Sequence, residues 1–501
     1  MSLKNSSNGG NRFRTTPDDT ADFIRQFNAM FQESERTGGI GRILQGKKGA
    51  KEVIARNKIT DPRLISRVLK HAIPYSQFQD LFLYGKGGFF SEKVDFRPQD
   101  LVRNQFEKMT LDDAADILHT MPLFPQMLSP WFGRVMSELI LTSYTSASGD
   151  TPKDLTLLGL GAGRGYLDYD VVDYATGSDF LKRTEGKDFA EKMAKARFIV
   201  SDKTERSVEF LRQTFSPLIA QRNLGDRVLI SQLDARNFNF GSLPCGVVYF
   251  NELLDNLPME PIIQDGDRKY RVFIVPNIKN AQTQGEHEYR DELGKEIPEL
   301  KDSVLTRGEF EGLVSTPAAR EVSFTPVLVP LSATPDLNDD VERSSAVREN
   351  INSRDFGGIY PYQVGVRKLL TNVRDSFQHG AIVMDDYTPS QEGWQNYNNA
   401  INIFKRLVFG EYDLEFQIDF AQVREEASRI GMQCTLDESQ KTLFHKSRHL
   451  IDRFGEKEFK RWNQALGAKL HPAILPGAAR QMYESTLESV PDRYRVVALQ
   501  F

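Results

Sequence analysis

A short apolar run that ends in alternating glycines is the first segment whose residue types could serve chemistry. The run begins at Leu155, and its glycines are Gly159, Gly161, Gly163 and Gly165. This order predicts a buried parallel strand, a glycine loop and the start of a helix. Without side chains, backbone N–H groups can approach a ligand closely, and a helix N-terminus favours negative charge. We therefore expect a nucleotide-like cofactor, although the glycines alone do not separate NAD, FAD and S-adenosylmethionine.

Polar residues follow the next predicted strands at the points where those strands end. Asp202 follows the second strand, and a carboxylate there can accept both hydroxyls of a ribose. In a dinucleotide-binding fingerprint, the acidic residue follows the glycines by roughly 20 residues. Asp202 follows Gly163 by about twice that number, which weakens the alternative of a nicotinamide cofactor. Asp234 follows the third strand, where it could accept from an adenine amino group, and Asn251 follows the fourth. Each residue alone could equally be a helix cap or a turn former.

The polar cluster Asn251-Glu252-Leu-Leu-Asp255 directly after the fourth strand separates the cofactor classes. Hydride transfer has no need of it, whereas methyl transfer needs a nucleophile that is aligned and relieved of its proton. We expect Asn251, Glu252 and Asp255 to face the methyl acceptor as catalytic residues. If this segment is helical, the two carboxylates, three residues apart, could lie near one face and pair with a guanidinium. The alternative is that Asp255 caps a helix and Glu252 is solvated.

Alternating strands and helices must position these residues, and they predict an α/β fold with a doubly wound, mostly parallel sheet. We expect strands near 155–160, 197–201, 227–233, 246–250 and 380–385, so residues 151–259 and 357–450 form the cofactor-binding core. A disordered tail (1–20) and a helical region (21–150) precede the core, and a C-terminal extension (451–501) follows it. Residues 260–356 break the alternation, with β-like segments at 270–275 and 321–329, and predict a cap inserted between strands four and five.

Composition restricts the setting of the protein. The chain has 501 residues and a net charge of −5, which gives no support for a nucleic-acid groove. Two cysteines cannot build a disulfide framework, which favours a reducing compartment. No apolar run reaches the roughly 18 residues of a membrane span. We expect a cytoplasmic protein without membrane or nucleic-acid partners, with a mitochondrial presequence as the alternative. The oligomeric state stays open, a homodimer included.

Histidines give no sign of a metal site. His445 and His449 are four residues apart, but no third ligand at a suitable spacing accompanies them. A solvated basic face is the simpler interpretation, so we expect no metal.

At these motifs the chain resembles the MidA-like family of class I S-adenosylmethionine-dependent methyltransferases, which includes a mitochondrial complex I assembly factor that dimethylates an arginine. The segment 251–258 (NELLDNLP) is similar to the family's Asn-Glu-hydrophobic-x-Asp-Ala-x-Pro signature, and 160–167 (LGAGRGYL) is similar to its glycine loop. Further similar segments are 78–90, 129–133, 382–387, 410–413 and 417–420.

Three positions depart from the family pattern. The family usually has Glu where Gly159 stands, a second Glu where Gly358 stands, and Gly where Thr388 stands. The first departure removes a carboxylate that supports cofactor binding, so cofactor affinity is in question.

The resemblance implies a Rossmann-like class I methyltransferase that uses S-adenosyl-L-methionine, with a protein arginine nitrogen as the acceptor. The cofactor residues would be Gly159, Gly161, Gly163, Asp202, Asp234 and Asn251. Two alternatives remain open: a diverged enzyme that methylates a small-molecule oxygen or nitrogen, and a non-catalytic assembly or binding protein that keeps the fold.

Overall fold

The structure, a computed structural model, describes most of the predicted core and part of the flanking regions. The described residues are 56–93, 131–147, 155–177, 195–278, 287–301, 303–353, 358–388, 409, 414, 416–447 and 494–501. The predicted tail, much of the predicted helical region, most of the C-terminal extension and His449 lie outside them. The similar segment 410–413 and residues 129–130 lie outside them as well.

Twelve strands are defined in these segments. They are β1 Ile73–Pro74, β2 Leu155–Gly159, β3 Arg197–Asp202, β4 Val228–Gln232, β5 Cys245–Asn251, β6 Glu260–Asp265, β7 Arg268–Asn277, β8 Ser323–Pro330, β9 Ile359–Tyr362, β10 Gly380–Tyr387, β11 Gln433–Ser439 and β12 Tyr494–Gln500.

Twelve α-helices accompany them in the same segments. They are α1 Pro62–His71, α2 Tyr75–Tyr84, α3 Trp131–Ala147, α4 Tyr166–Thr176, α5 Glu205–Arg222, α6 His287–Glu296, α7 Arg307–Leu313, α8 Pro335–Arg343, α9 Ser345–Asn350, α10 Val364–Ser376, α11 Phe420–Arg429 and α12 Gln440–Lys446. Each of these helices falls short of the length or the apolarity that a membrane crossing requires.

The main sheet has seven strands in the order β11-β12-β10-β5-β2-β3-β4. Strands β4, β3, β2, β5 and β10 are parallel, and β12 runs antiparallel to both of its neighbours. The chain winds outward from β2 to β3 and β4 on one side, and then to β5 and β10 on the other. This order confirms the predicted α/β, doubly wound class I methyltransferase fold.

Burial on both faces explains why the central strands are apolar runs. All five residues of β2 are buried. On one face, side chains of α3, α4 and α5 such as Val135, Tyr169 and Leu211 form one hydrophobic cluster with the sheet. On the other face, residues of α10 and α11 such as Leu369 and Val423 form a second cluster.

A second, antiparallel sheet is built mainly from strands that lie between β5 and β10 in the chain, and β1 joins it from the N-terminal region. Strands β1, β7, β6 and β9 follow one another in it, and β8 pairs with β7. It occupies the region where we predicted a cap, and the predicted β segments correspond to β7 and β8. The sheet extends beyond the predicted limit of 356, because β9 pairs with β6 through Glu260 opposite Tyr362. The function of this region as a cap stays a prediction.

The C-terminal strand corrects our division of the chain. We placed residues 451–501 in an extension, but β12 lies inside the main sheet between β10 and β11. Val496, Val497 and Leu499 are fully buried there. The strand completes the sheet from far along the sequence, so the strand–helix alternation gave no signal for it.

Helix α2 ties the N-terminal region to both sheets. The buried Gln79 amide donates to the Leu414 carbonyl (3.0 Å) and accepts from the Met259 N–H (2.9 Å). Ser76 Oγ and the Arg271 guanidinium both donate to Glu260, a buried carboxylate at the start of β6. These contacts hold α2 beside the carboxyl ends of the main strands.

A close backbone approach in the main sheet gives a test of the packing. A Cβ added at Gly246 in β5 would lie 2.3 Å from the Phe377 ring. We expect Gly246→Ala to lower the free energy of unfolding by about 1–3 kcal/mol, because the ring must move. Urea denaturation followed by circular dichroism measures this. Gly225→Ala is the matched control, since a Cβ there would meet no atom within 4 Å. Equal stabilities of the two variants would contradict the packing.

Candidate active site

The reversal of strand order defines where a ligand can bind. Strand β2 has β3 on one side and β5 on the other, and the chain winds away in opposite directions from this pair. In open α/β sheets, ligands bind in the crevice outside the carboxyl ends of the strands at such a point. The glycine loop 160–165 follows β2 at this point, and Glu252 follows β5 beside it.

The glycine loop has the geometry that requires glycine. Gly161, Gly163 and Gly165 have φ values of 61°, 53° and 76°, in the left-handed region that L side chains rarely adopt. A Cβ at Gly163 would meet no atom within 4 Å. The Ala162 N–H donates to the Ser201 carbonyl (2.9 Å) and fixes the loop to β3. Gly163 therefore leaves its backbone open to close approach by a ligand.

Asp202 lies beside this loop, as a ribose-binding carboxylate should. Its Oδ2 accepts from the Gly163 N–H (3.0 Å), and its Oδ1 accepts from the Thr204 N–H (3.0 Å). Burial raises the pKa of Asp202, while these two hydrogen bonds lower it. A carboxylate offers about four lone-pair sites, so acceptor capacity remains for a hydroxyl.

Asp234 is more heavily engaged than the sequence suggested. Arg236 donates to Asp234 through its backbone N–H (2.9 Å), Nε (3.0 Å) and Nη2 (2.8 Å). Burial raises the pKa of Asp234, but the Arg236 hydrogen bonds and the charge of Lys203 hold it below its ordinary value. Its contact with an adenine amino group stays a prediction. That amino group would have to compete with Arg236 for the Asp234 oxygens.

Helix α2 adds residues to this edge that the spacing argument did not find. Asp80 accepts from Lys203 Nζ (2.6 Å) and from Arg236 Nη2 (2.9 Å). The Lys203 ammonium also lies 4.1 Å from the centre of the Tyr84 ring. The similarity of segment 78–90 to the family was the available signal, but it did not indicate these charge pairs.

Asn251 ends β5, and Glu252 begins the following turn in a strained conformation. Glu252 has a φ of 48°, which costs a side-chain-bearing residue about 1–2 kcal/mol. Its N–H donates to the Asp385 carbonyl (2.8 Å), which holds the turn against β10. The buried Oδ1 of Asn251 has no hydrogen-bond partner among the described residues. Strain of this kind is typical of functional sites, and the unpaired oxygen is suited to a ligand N–H.

Glu252 and Asp255 do not share a helix face, so the arrangement that we expected for them is wrong. The left-handed turn at Glu252 precedes a single 3₁₀ turn, Leu254–Asn256. Asp255 is fully buried; its Oδ2 accepts from the Tyr387 hydroxyl (2.8 Å) and its Oδ1 from Asn256 Nδ2 (3.0 Å). Asp255 therefore contacts the Tyr387 hydroxyl in the interior of the protein.

Two further buried carboxylates lie at the end of β10. Asp386 accepts from the N–H groups of Leu254 (2.9 Å) and Tyr387 (2.8 Å), and Asp385 accepts from Gln440 Nε2 (2.9 Å). Burial raises the pKa of both well above the ordinary value, and the charge of Glu252 raises that of Asp386 further. We call Glu252, Asp255, Asp385 and Asp386 the acidic cluster. Sequence reasoning missed Asp385, whose only signal is an acid at the end of an apolar strand.

The donors and acceptors at this edge fit a cofactor that carries a nucleoside and an amino acid. An open glycine backbone, the Asp202 carboxylate and the unpaired Asn251 oxygen lie at the ends of three adjacent strands. Hydroxyls and an amino group are suited to these acceptors.

Comparisons with known proteins identify a family for this chain. A family described as "Putative S-adenosyl-L-methionine-dependent methyltransferase" matches residues 136–436, which is more than half of the chain. A Burkholderia thailandensis protein crystallised with S-adenosyl-homocysteine shares 14% identity at a TM-score of 0.51, covering 88% of this chain and 95% of that one. A native crystal structure from the same organism gives 13% identity and a TM-score of 0.49, covering 88% and 94%.

At 14% identity, the similarity to the first of these structures shows a shared fold only. The sequence gives no match among curated proteins. The family match extends from α3 through β11 and includes the glycine loop and the acidic cluster. The chain therefore belongs to the family of S-adenosyl-L-methionine-dependent methyltransferases.

Proposed function

We propose that this chain methylates a cationic acceptor, the guanidinium of a protein arginine, as the MidA-like family that its motifs resemble would do. The observation that carries the proposal is the acidic cluster at the ends of β5 and β10. Three of its members are fully buried, and burial raises the pKa of Asp385 and Asp386. Carboxylates in such surroundings are stabilised when a cation docks against them. A guanidinium supplies both that charge and a planar set of N–H donors.

We place S-adenosylmethionine across the glycine loop, with Gly159, Gly161 and Gly163 beneath it. In this placement Asp202 accepts the ribose hydroxyls, and Asp234 lies toward the adenine. Asn251 accepts from the amino-acid part. The open space at Gly163 and the unpaired Asn251 oxygen support this placement.

When bound, the cofactor supplies an activated methyl group on a sulfonium. Glu252 would orient the acceptor by accepting guanidinium N–H bonds, and it would take the proton that the attacking nitrogen loses. The methyl group would bond to that nitrogen as its bond to sulfur breaks, and the electron pair of the broken bond would stay on sulfur. Asp386 would hold the Glu252 turn through the Leu254 N–H. Asp255 would act through the Tyr387 hydroxyl, as a positioning residue.

We further propose that the enzyme works in the cytosol on a protein partner rather than on nucleic acid. Cys245 and Cys434 are both free thiols, which suits a reducing compartment. The net charge of −5 is compatible with a basic, arginine-bearing substrate.

Asp202→Asn tests the placement of the cofactor. We expect it to weaken S-adenosylhomocysteine binding about 10- to 100-fold, because the ribose loses a charged acceptor while the side-chain shape is kept. Isothermal titration calorimetry measures the affinity. Asp226→Asn, at an exposed position beyond α5, is the control and should bind as the unmodified protein does. Equal affinity of the two variants would contradict this placement.

Glu252→Gln tests the role of the acidic cluster. We expect methyl transfer to protein arginine to fall by at least about 100-fold, because the amide accepts no proton. Affinity for S-adenosylhomocysteine should stay within about twofold. The assay uses cofactor with a tritiated methyl group and a protein extract from the source cells, followed by amino-acid analysis of the precipitated protein. The control is Glu349→Gln, an exposed position on α9.

The same assay decides among the alternatives. Label in methylarginine that disappears with Glu252→Gln supports the proposal. Label only in the acid-soluble fraction would replace it with a small-molecule acceptor. Cofactor binding without any transfer to the extract would favour the non-catalytic alternative.

A further inference from the structure

Gly159 and Asp168 form a matched pair in which one side chain excludes the other. Gly159 is the last residue of β2, at the position where the family usually has Glu. A Cβ added to Gly159 would lie 1.7 Å from Asp168 Oδ1, far inside any non-bonded distance. The Asp168 carboxyl therefore occupies the space in which a side chain at residue 159 would begin. An acid has been lost from the strand, and another acid fills its place from the helix that follows the loop.

Asp168 is a buried acid whose contacts within the protein do not account for its charge. Asp168 lies in the first turn of α4 and is only 3% exposed. The Tyr249 hydroxyl faces the Asp168 carboxyl and lowers its pKa, although the two groups lack ordinary hydrogen-bond geometry. A buried carboxyl held in this way is costly, and an apolar residue would fill the same space at less cost. Packing alone therefore does not explain an acid at this position.

We propose that Asp168 replaces the missing strand carboxylate and binds the ammonium group of the cofactor's methionine part. This inference rests on the cofactor placement proposed above. Asp168 lies against Gly159, at the start of the glycine loop, and faces the hydroxyl of Tyr249, in the strand that leads to Asn251. It therefore lies on the side of the loop nearest β5, whereas Asp202 lies on the side of β3. The amino-acid end of a cofactor whose ribose contacts Asp202 would extend toward Asp168 and Asn251.

Charge favours a cation as the ligand. Burial raises the pKa of Asp168 to about 7, the Tyr249 hydroxyl lowers it, and the nearby charge of Asp202 raises it. These are the charged and titratable groups that face Asp168 from β5 and β3. An ammonium group would stabilise the ionised carboxyl, and the N-terminus of α4 would add to that effect.

The sign of the pH dependence follows from this pKa. Without ligand, Asp168 is neutral below about pH 7, and its pKa in the unfolded chain is near 3.8. Its contribution to stability is therefore fully present below about pH 4 and is lost as the pH rises through about 7. Ligand affinity changes with pH in the opposite direction, because the ammonium group binds the ionised carboxylate and not the neutral acid. Affinity should rise about tenfold per pH unit below 7 and level off above it.

Two ligands separate binding from a structural role. S-adenosylhomocysteine carries the amino-acid part, whereas 5′-methylthioadenosine keeps the nucleoside but lacks it. We expect Asp168→Asn to weaken the binding of S-adenosylhomocysteine about 10- to 100-fold at pH 8. It should also reduce the change of affinity with pH that is centred near pH 7. Methylthioadenosine affinity should stay within about twofold. Calorimetric titration of the full chain between pH 5.5 and 8.5 measures both.

The outcomes are distinct. If Asp168→Asn weakens the binding of both ligands equally, Asp168 has a structural role and the inference fails. If Asp168→Asn leaves both affinities unchanged while Asp202→Asn lowers both, the inference fails and the cofactor placement stands. If neither variant weakens either ligand, the placement itself fails.

A second variant keeps the test open if Asp168→Asn does not fold. We expect Gly159→Ala to displace the Asp168 carboxyl, and hence to weaken S-adenosylhomocysteine while sparing methylthioadenosine. In an Asp168→Ala background, Gly159→Glu should restore at least tenfold of the lost affinity, because the acid returns to the strand. No recovery by Gly159→Glu, together with full affinity of Gly159→Ala, would overturn the inference.

Discussion

The site depends on one constraint: the strand order reverses between β2 and β5, so the ends of these strands face a common crevice. The chain leaves each strand at the same edge, and residues almost 100 positions apart in sequence meet there. Gly159 pairs with Val200 on one side and Tyr249 on the other. This register fixes the glycine loop between Asp202 and Asn251. No loop contact has to bring the cofactor residues together, because the sheet already does so.

The second feature is the concentration of acids in a poorly solvated region. Asp168 is buried near the glycine loop, and the other three members of the acidic cluster are fully buried near Glu252. Each of these acids is accompanied by backbone or side-chain donors, yet Asn251 and Asp385 each keep a buried oxygen without a partner in the described chain. A protein selected for stability alone would not retain these groups. A positively charged cofactor, together with the cationic acceptor that we propose, would account for them.

Local patterns in the sequence predicted those parts of the fold whose causes are local. The strands β2, β3 and β5 are apolar runs ended by glycine or a polar residue, and they form as expected. Strands β9 and β12 depend on partners far along the chain, so no short window reveals them. The glycine loop was visible because positive φ values demand glycine.

The errors at the site have a common cause, which is backbone geometry that the sequence does not state. We expected Asp255 to face the acceptor together with Glu252, but Asp255 is fully buried after a left-handed residue and within a 3₁₀ turn. Gly159 appeared as a lost acid, since nothing in the sequence shows that Asp168 returns to the same space one helical turn after the loop. Charge pairs from α2 to Lys203 and Arg236 needed the tertiary fold to be seen.

A crystal structure of the chain grown with S-adenosylhomocysteine tests the central claim most directly. We predict that the nucleoside lies across residues 160–165 and that its ribose contacts Asp202. The amino-acid end should reach Asp168 and Asn251, and the sulfur should face Glu252. A ligand bound elsewhere, or a glycine turn that faces away from the acidic cluster with the ligand present, would contradict it.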